Sequence, residues 1–160
     1  MPSYEAGVNR LPEEVSFGVT TIRIARASGL KKLQVGYSTD PRGVPLSGEA
    51  EGDWKSYWLV IGEDDTSGDP LFIDTSQGGF PVYTAFHGQG SWKPTLIAAS
   101  LEGFGRALNI LLELARGRED PMSLQSNPVT LDERVLALSK IREQNPSADM
   151  EFWTALMDAS

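Results

Sequence analysis

The chain has 160 residues, with 22 acidic against 14 basic side chains and a net charge of −8. A chain of this length favours one domain spanning 1–160 with a core of its own, because it buries roughly two thirds of its extended surface on folding. The lack of cysteine excludes disulfides, thiolate metal sites and thiol nucleophiles, and the acidic balance disfavours direct nucleic-acid binding, since phosphates require basic side chains.

No run approaches the ~20 apolar residues of a membrane span, and the first residues lack a basic end followed by an apolar segment. A soluble cytoplasmic protein with no membrane partner is therefore expected. In chain order, Met1 to Phe17 is polar with scattered apolar residues, and Leu11-Pro12-Glu13-Glu14-Val15 is expected to start a short helical turn, where proline is tolerated. Val19 to Ile24 is rich in β-branched residues and is expected as a strand. Leu33 to Tyr37 reads as another short strand, closed by Gly36 and Ser38. The bases Arg23, Arg26, Lys31 and Lys32 flank this hairpin-like region and read as a solvated surface. Thr39 to Asp53 holds Pro41, Gly43, Pro45, Gly48 and Gly52 and is expected as a surface connection.

The most patterned stretch, 54–104, forms the expected core of the fold. Tyr57-Trp58-Leu59-Val60-Ile61 is apolar at successive positions, as in a central strand covered on both faces. Glu63 to Asp69 reads as a polar loop leading into the antiparallel strand Pro70 to Asp74, and Val82 to Phe86 as a third strand. Ser100 is placed to cap a helix with its apolar stripe on Leu101, Phe104, Leu108, Leu111, Leu112 and Ala115, ending at Gly117. Gly103 and Gly105 in its first turns are expected to permit close approach to the sheet. Residues 118–129 read as a linker to the C-terminal helices. Thr130-Leu131-Asp132-Glu133 fits a capping box, with Leu131, Val135, Leu138 and Ile141 marking one face of the helix that follows. Asn145-Pro146 stops that helix and is expected to cap a last one from Ser147 to Asp158, with Met150, Trp153 and Met157 on one side. The fold class expected is α+β, a central, mainly antiparallel β-sheet flanked by helices.

Candidate chemistry is sparse. Between Ser38 and Phe80 nine acids (Asp40, Glu49, Glu51, Asp53, Glu63, Asp64, Asp65, Asp69, Asp74) face two bases (Arg42, Lys55), so nearly all the net charge lies there. The acids lack the twelve-position spacing of an EF-hand, and they serve as turn formers holding backbone amides; no metal and no cofactor is expected. His87 is the only histidine, which removes multi-histidine zinc sites and leaves one general-base candidate. Gly88-x-Gly90 before Ser91 and Trp92 is too short for a phosphate loop. A serine triad would need Ser91 or Ser100 to find His87 and an acid, without a nucleophile elbow. Trp54, Trp58 and Trp92 read as packing residues. Trp54 or Trp92, each beside a glycine-containing loop, is the choice for an exposed interface anchor.

The segment 54–104 resembles the core of the SUKH superfamily, which contains fungal cell-wall synthesis regulators and bacterial toxin-immunity proteins. The likeness is carried by a tryptophan before an apolar strand ending in Ile61-Gly62, the Gly68-Asp69-Pro70 turn, Leu71-Phe72-Ile73-Asp74, Pro81-Val82-Tyr83 and the helix start Ala98 to Phe104. The N-terminus diverges, with Val15 where the family's Leu-Pro-x-x-Tyr signature has tyrosine. The resemblance implies a non-enzymatic immunity protein that binds and neutralises a cognate protein toxin of the nuclease or deaminase class. Such a toxin is basic where it meets phosphate, and an acidic inhibitor steers toward it. The expected partner-binding residues are Glu49, Glu51, Asp53, Trp54, Glu63, Asp64, Asp65 and Asp69. A regulatory or structural adaptor of the cell-wall-regulator type is the alternative, and an acid-dependent hydrolase using His87 with Asp69 or Asp74 is the third.

Overall fold

A strand apolar at successive positions, as Trp58 to Ile61 is, must be covered on both faces. In the computed structural model, which describes residues 3–158, this run opens the third strand of a six-stranded sheet. The strands are β1 (Glu14–Phe17), β2 (Thr20–Ile24), β3 (Trp58–Asp64), β4 (Pro70–Asp74), β5 (Val82–Thr84) and β6 (Thr95–Ala98). They lie side by side in chain order, and every neighbouring pair is antiparallel. The helices are α1 (Tyr4–Asn9), α2 (Leu30–Leu33), α3 (Leu101–Ala115), α4 (Pro121–Ser126), α5 (Leu131–Gln144) and α6 (Met150–Met157). The architecture is the expected α+β class.

One face of the sheet offers Ile22, Ile24, Leu71, Ile73, Val82 and Ile97 to α3, whose Phe104, Leu108 and Leu111 are buried there. The Ser100 hydroxyl caps α3 by accepting from the Gly103 amide at 2.9 Å. The other face carries a second, aromatic cluster of Trp54, Trp58, Val60, Phe72 and Ala85, roofed by Leu33, Tyr37, Tyr83 and Trp92. The Trp54 ring centre lies 4.7 Å from Phe72 and 5.3 Å from Trp58. Such aromatic pairs add about 1 kcal/mol each beyond area burial. Trp54 is 2% exposed, so the expectation that it anchors a partner is corrected: it is the centre of this second core.

The segment read as a strand over Leu33 to Tyr37 is instead the end of α2 followed by turns. Its contribution to the sheet is made by a side chain. Gln34 accepts from the Val60 amide at 2.9 Å and donates to the Val60 carbonyl at 2.8 Å, pairing both backbone groups as a neighbouring strand would. The Ile61 bulge between Val60 and Gly62 re-aims β3 just beyond this point. At Gly62 a Cβ would collide with the Arg23 carbonyl, which is why glycine stands where β2 meets β3.

Other expectations change in detail. Helix α1 precedes Leu11, and Glu14 and Val15 belong to β1 rather than to a helical turn. Thr95 to Ala98, where no strand was expected, forms the edge strand β6, while β5 ends at Thr84, short of Phe86. The segment 118–129 carries α4, and Arg118 within it is buried, donating to Leu114 O, Asn127 O and the Glu133 carboxylate. Helix α5 starts on its capping box as expected, but it buries Ala137 and Ile141 while leaving Leu131 and Val135 exposed. Asn145 ends α5 instead of capping α6, whose cap is Asp149. Asn145 is fully buried, accepting from Ala99 N and donating to Gly103 O and Ile141 O. Gly103 therefore faces Asn145, and Gly105 faces Leu11, neither of them the sheet.

Helix α6 closes the edge at β6. The Asp149 amide donates to Leu96 O and the Trp153 indole to Ile97 O, both at 2.8 Å. Covering an edge strand in this way prevents strand addition there. It also sets α6 beside the end of the sheet where the β3–β4 hairpin turns. Among the described residues no helix is long and apolar enough to cross a membrane.

Candidate functional site

Side chains alternate across a strand, so Asp64 at the end of β3 and Asp69 just before β4 project from the same sheet face as Leu71 and Ile73. Asp64 donates its amide to Asp69 O at 3.0 Å and accepts the Gly68 amide at 2.7 Å, which folds 65–68 into a tight turn. The two residues thus stand opposite each other across the mouth of the hairpin. Like charges in that position are destabilising.

Both acids line a cleft of about 510 Å³ between this end of the sheet and α6. The sheet side supplies Thr20, Asp64, Ser67, Asp69, Thr84, Ala85, Phe86 and Thr95; the helix side supplies Asp149, Glu151, Phe152, Ala155 and Leu156. Its walls are largely apolar, and Phe86 is 73% exposed. Four carboxylates border it and no lysine or arginine does. Among the described residues none of the four forms an ion pair with a lysine or arginine, whereas neighbouring Asp65 pairs with Arg23 at 3.3 Å. Asp65 and Glu14 hold the Arg23 guanidinium above its usual value, the hydrogen bond it donates to Asp65 contributing most.

The side chains of Asp64 and Asp149 bond locally. Asp64 Oδ1 accepts from the amides of Thr66 and Ser67, and Asp149 Oδ1 from that of Glu151, so each organises its own turn or cap. Asp69 Oδ1 accepts twice from His87, from the amide at 3.1 Å and from ring Nδ1 at 2.7 Å. An ionised carboxylate only accepts, so the His87 proton sits on Nδ1 and, in the neutral ring, Nε2 keeps its lone pair. His87 is more than half exposed and Asp69 mostly covered. Asp74 plays no part here: it is buried, and its oxygens accept from Ser76 and Gln77. The hydrolase pairing of His87 with Asp74 is thereby removed, and only Asp69 remains. Ser100 is occupied as the α3 cap.

No family model, no curated protein and no solved structure matches the chain.

The expected partner-binding acids are thus divided by the fold. Asp64 and Asp69 meet at the cleft, joined by Asp149 and Glu151 from α6. Glu49 and Glu51 are exposed on a separate loop that meets the 91–92 segment, where Trp92 donates to Gly52 O at 2.8 Å. Asp53 turns inward on that loop and accepts from the Ala50 amide at 3.0 Å. Glu63, one position before Asp64, belongs to the opposite sheet face. Burial pushes the Tyr37 hydroxyl of the aromatic cluster up from its ordinary value, and the charges of Glu63 and Asp69 add to it. Asp149 and Glu151 were not legible as site residues, because nothing in their sequence spacing brings α6 to the end of β3. The signal lay in Trp153, whose burial and indole bond to Ile97 O fix where the start of α6 must fall.

Proposed function

We propose that this chain is a protein-binding domain that recognises a basic protein through its acidic end, and that the partner is a toxin it neutralises. The observation that carries this is the apolar cleft bordered by Asp64, Asp69, Asp149 and Glu151, with no lysine or arginine among the residues that line it. Uncompensated charge beside exposed apolar surface raises the free energy of the unbound protein, and a cationic surface lowers it on contact. Carboxylates arranged on one end also accelerate encounter with a basic partner, a contribution that salt screens. The likeness of 54–104 to the SUKH core supports an immunity role for such a surface, and a nuclease has the basic substrate-binding face that it would cover.

Co-expression with the product of a neighbouring gene tests the proposal. Co-purification with rescue of growth is the expected result. Binding without rescue favours an adaptor, and absence of both overturns the proposal.

One observation favours a second reading. The His87–Asp69 pair presents Nε2 as an acceptor at an exposed position, the arrangement of an oriented general base. Among the described residues no hydroxyl or second carboxylate bonds to that nitrogen, so the nucleophile would be water. Hydrolysis of p-nitrophenyl acetate that falls to the uncatalysed rate in His87→Gln would support this reading. Equal rates for the two proteins would remove it.

A further inference from the structure

We propose that the cleft between the β3–β4 hairpin and α6 is the seat of an arginine side chain of the partner. This rests on the reading of the acidic end as a binding surface and specifies what that surface grips.

The charge of the occupant follows from the rim. Asp64 and Asp69 are opposite residues at the hairpin mouth, and the hydrogen bonds their carboxylates accept fall on Oδ1 of each. Asp149 and Glu151 approach from the opposite wall. A cation between the walls relieves the repulsion within the hairpin and finds acceptors on both sides.

The shape of the occupant follows from two further facts. No three of the chain's His, Asp or Glu side chains converge closely enough to hold a metal ion, among the described residues. The carboxylates are spread around the cleft, which suits a charge that is itself spread out. The walls between them are Phe86, Phe152 and Leu156, surfaces that a strongly hydrated ammonium or a hydrated divalent ion gains little from touching. A guanidinium is planar and weakly hydrated, presents five donors in a fork, and stacks on aromatic faces while its methylene stem covers apolar surface. At about 510 Å³ the cleft admits such a side chain together with the backbone that presents it.

The test is a titration of the ¹⁵N-labelled full chain with three capped tripeptides, acetyl-Gly-X-Gly-amide, where X is arginine, lysine or citrulline. Citrulline keeps the shape of arginine and removes the charge. The expected result is saturable movement of the amides of Asp64, Asp69, Phe86 and Phe152 by the arginine peptide, at least fivefold weaker binding of the lysine peptide, and no movement with citrulline. Ala155→Trp, at an exposed helical position on the cleft wall, is expected to abolish these shifts while leaving the rest of the spectrum folded. Equal effects of lysine and arginine would overturn the arginine assignment and leave the acidic binding surface standing. Movement by citrulline, or cleft amides unmoved by all three peptides, would also overturn it. The rescue experiment with the whole partner then decides the broader proposal separately.

Discussion

Asp69 accepts both the amide and the ring Nδ1 of His87 through one oxygen, at 3.1 and 2.7 Å. The carboxylate therefore fixes the start of the 87–90 loop against the β3–β4 hairpin, and with it the position of Phe86 on the cleft wall. Hydrogen bonds to a charged acceptor contribute about 1.5–3 kcal/mol, less where water competes. Asp69→Ala should raise hydrogen exchange at the His87 amide about fivefold or more, and leave the β4 amides of Phe72 and Ile73 protected. Unchanged exchange at His87 would show that the loop is held by something else.

The like charges of Asp64 and Asp69, opposite residues of the hairpin, make a stability prediction of unusual sign. Asp64→Asn keeps the side-chain oxygen that accepts from Thr66 and Ser67 but removes the charge opposite Asp69. It should stabilise the free protein by up to about 0.5 kcal/mol at low salt, and the gain should shrink as salt is added. The same substitution should slow association with a basic partner. Urea unfolding at two ionic strengths checks the first half.

Gln34 replaces a strand. Its amide satisfies Val60 N and Val60 O inside the protein, and the side chain is itself buried. Gln34→Ala leaves both backbone groups unpaired and should cost about 2–4 kcal/mol, measured as a lowered urea midpoint with little change in slope.

Asn145 and Gly103 form a coupled pair. Asn145→Ala abandons Ala99 N and Gly103 O, for about 2–3 kcal/mol. Gly103→Ala pushes a methyl onto Asn145 Oδ1 and close to the Gln144 carbonyl. In the Asn145→Ala background most of that collision is gone. The double variant should be more stable than the sum of the single losses predicts, by about 1 kcal/mol or more.

Acid should loosen the start of α5. The Thr130 amide, first, and Arg118 hold the Glu133 carboxyl below its ordinary value of 4.5. A carboxyl whose value is lower in the folded state stabilises the fold above its unfolded value, and that contribution is lost as the pH falls through the folded one. From roughly pH 5 downward the melting temperature of the wild type should therefore fall more steeply than that of Glu133→Gln. Parallel curves in calorimetry would contradict this.

What the sequence disclosed was mostly local. Ser100 and Thr130 announced their helices because capping uses residues one turn apart. Trp58 to Ile61 announced a central strand because its two faces are both apolar. The errors arose where distant residues decide. Leu33 to Tyr37 has strand-like residues, yet the Gln34 amide occupies the place of a strand from the end of α2. Leu131 and Val135 share a helical stripe with Ile141, but α5 tilts its buried side to Ala137 and Ile141. Of the site, the acidic turn was visible as composition. The cleft was not, since its second wall comes from α6, some eighty residues later in the chain.

The most direct test of the central claim is the association rate of this protein with its co-purified partner, measured by stopped-flow at low and at physiological salt for the wild type and for Asp64→Lys/Asp69→Lys/Glu151→Lys. A binding surface built on these carboxylates predicts at least a tenfold slower association of the triple variant at low salt, with the difference narrowing as salt rises. Equal rates for the two proteins at low salt would contradict it.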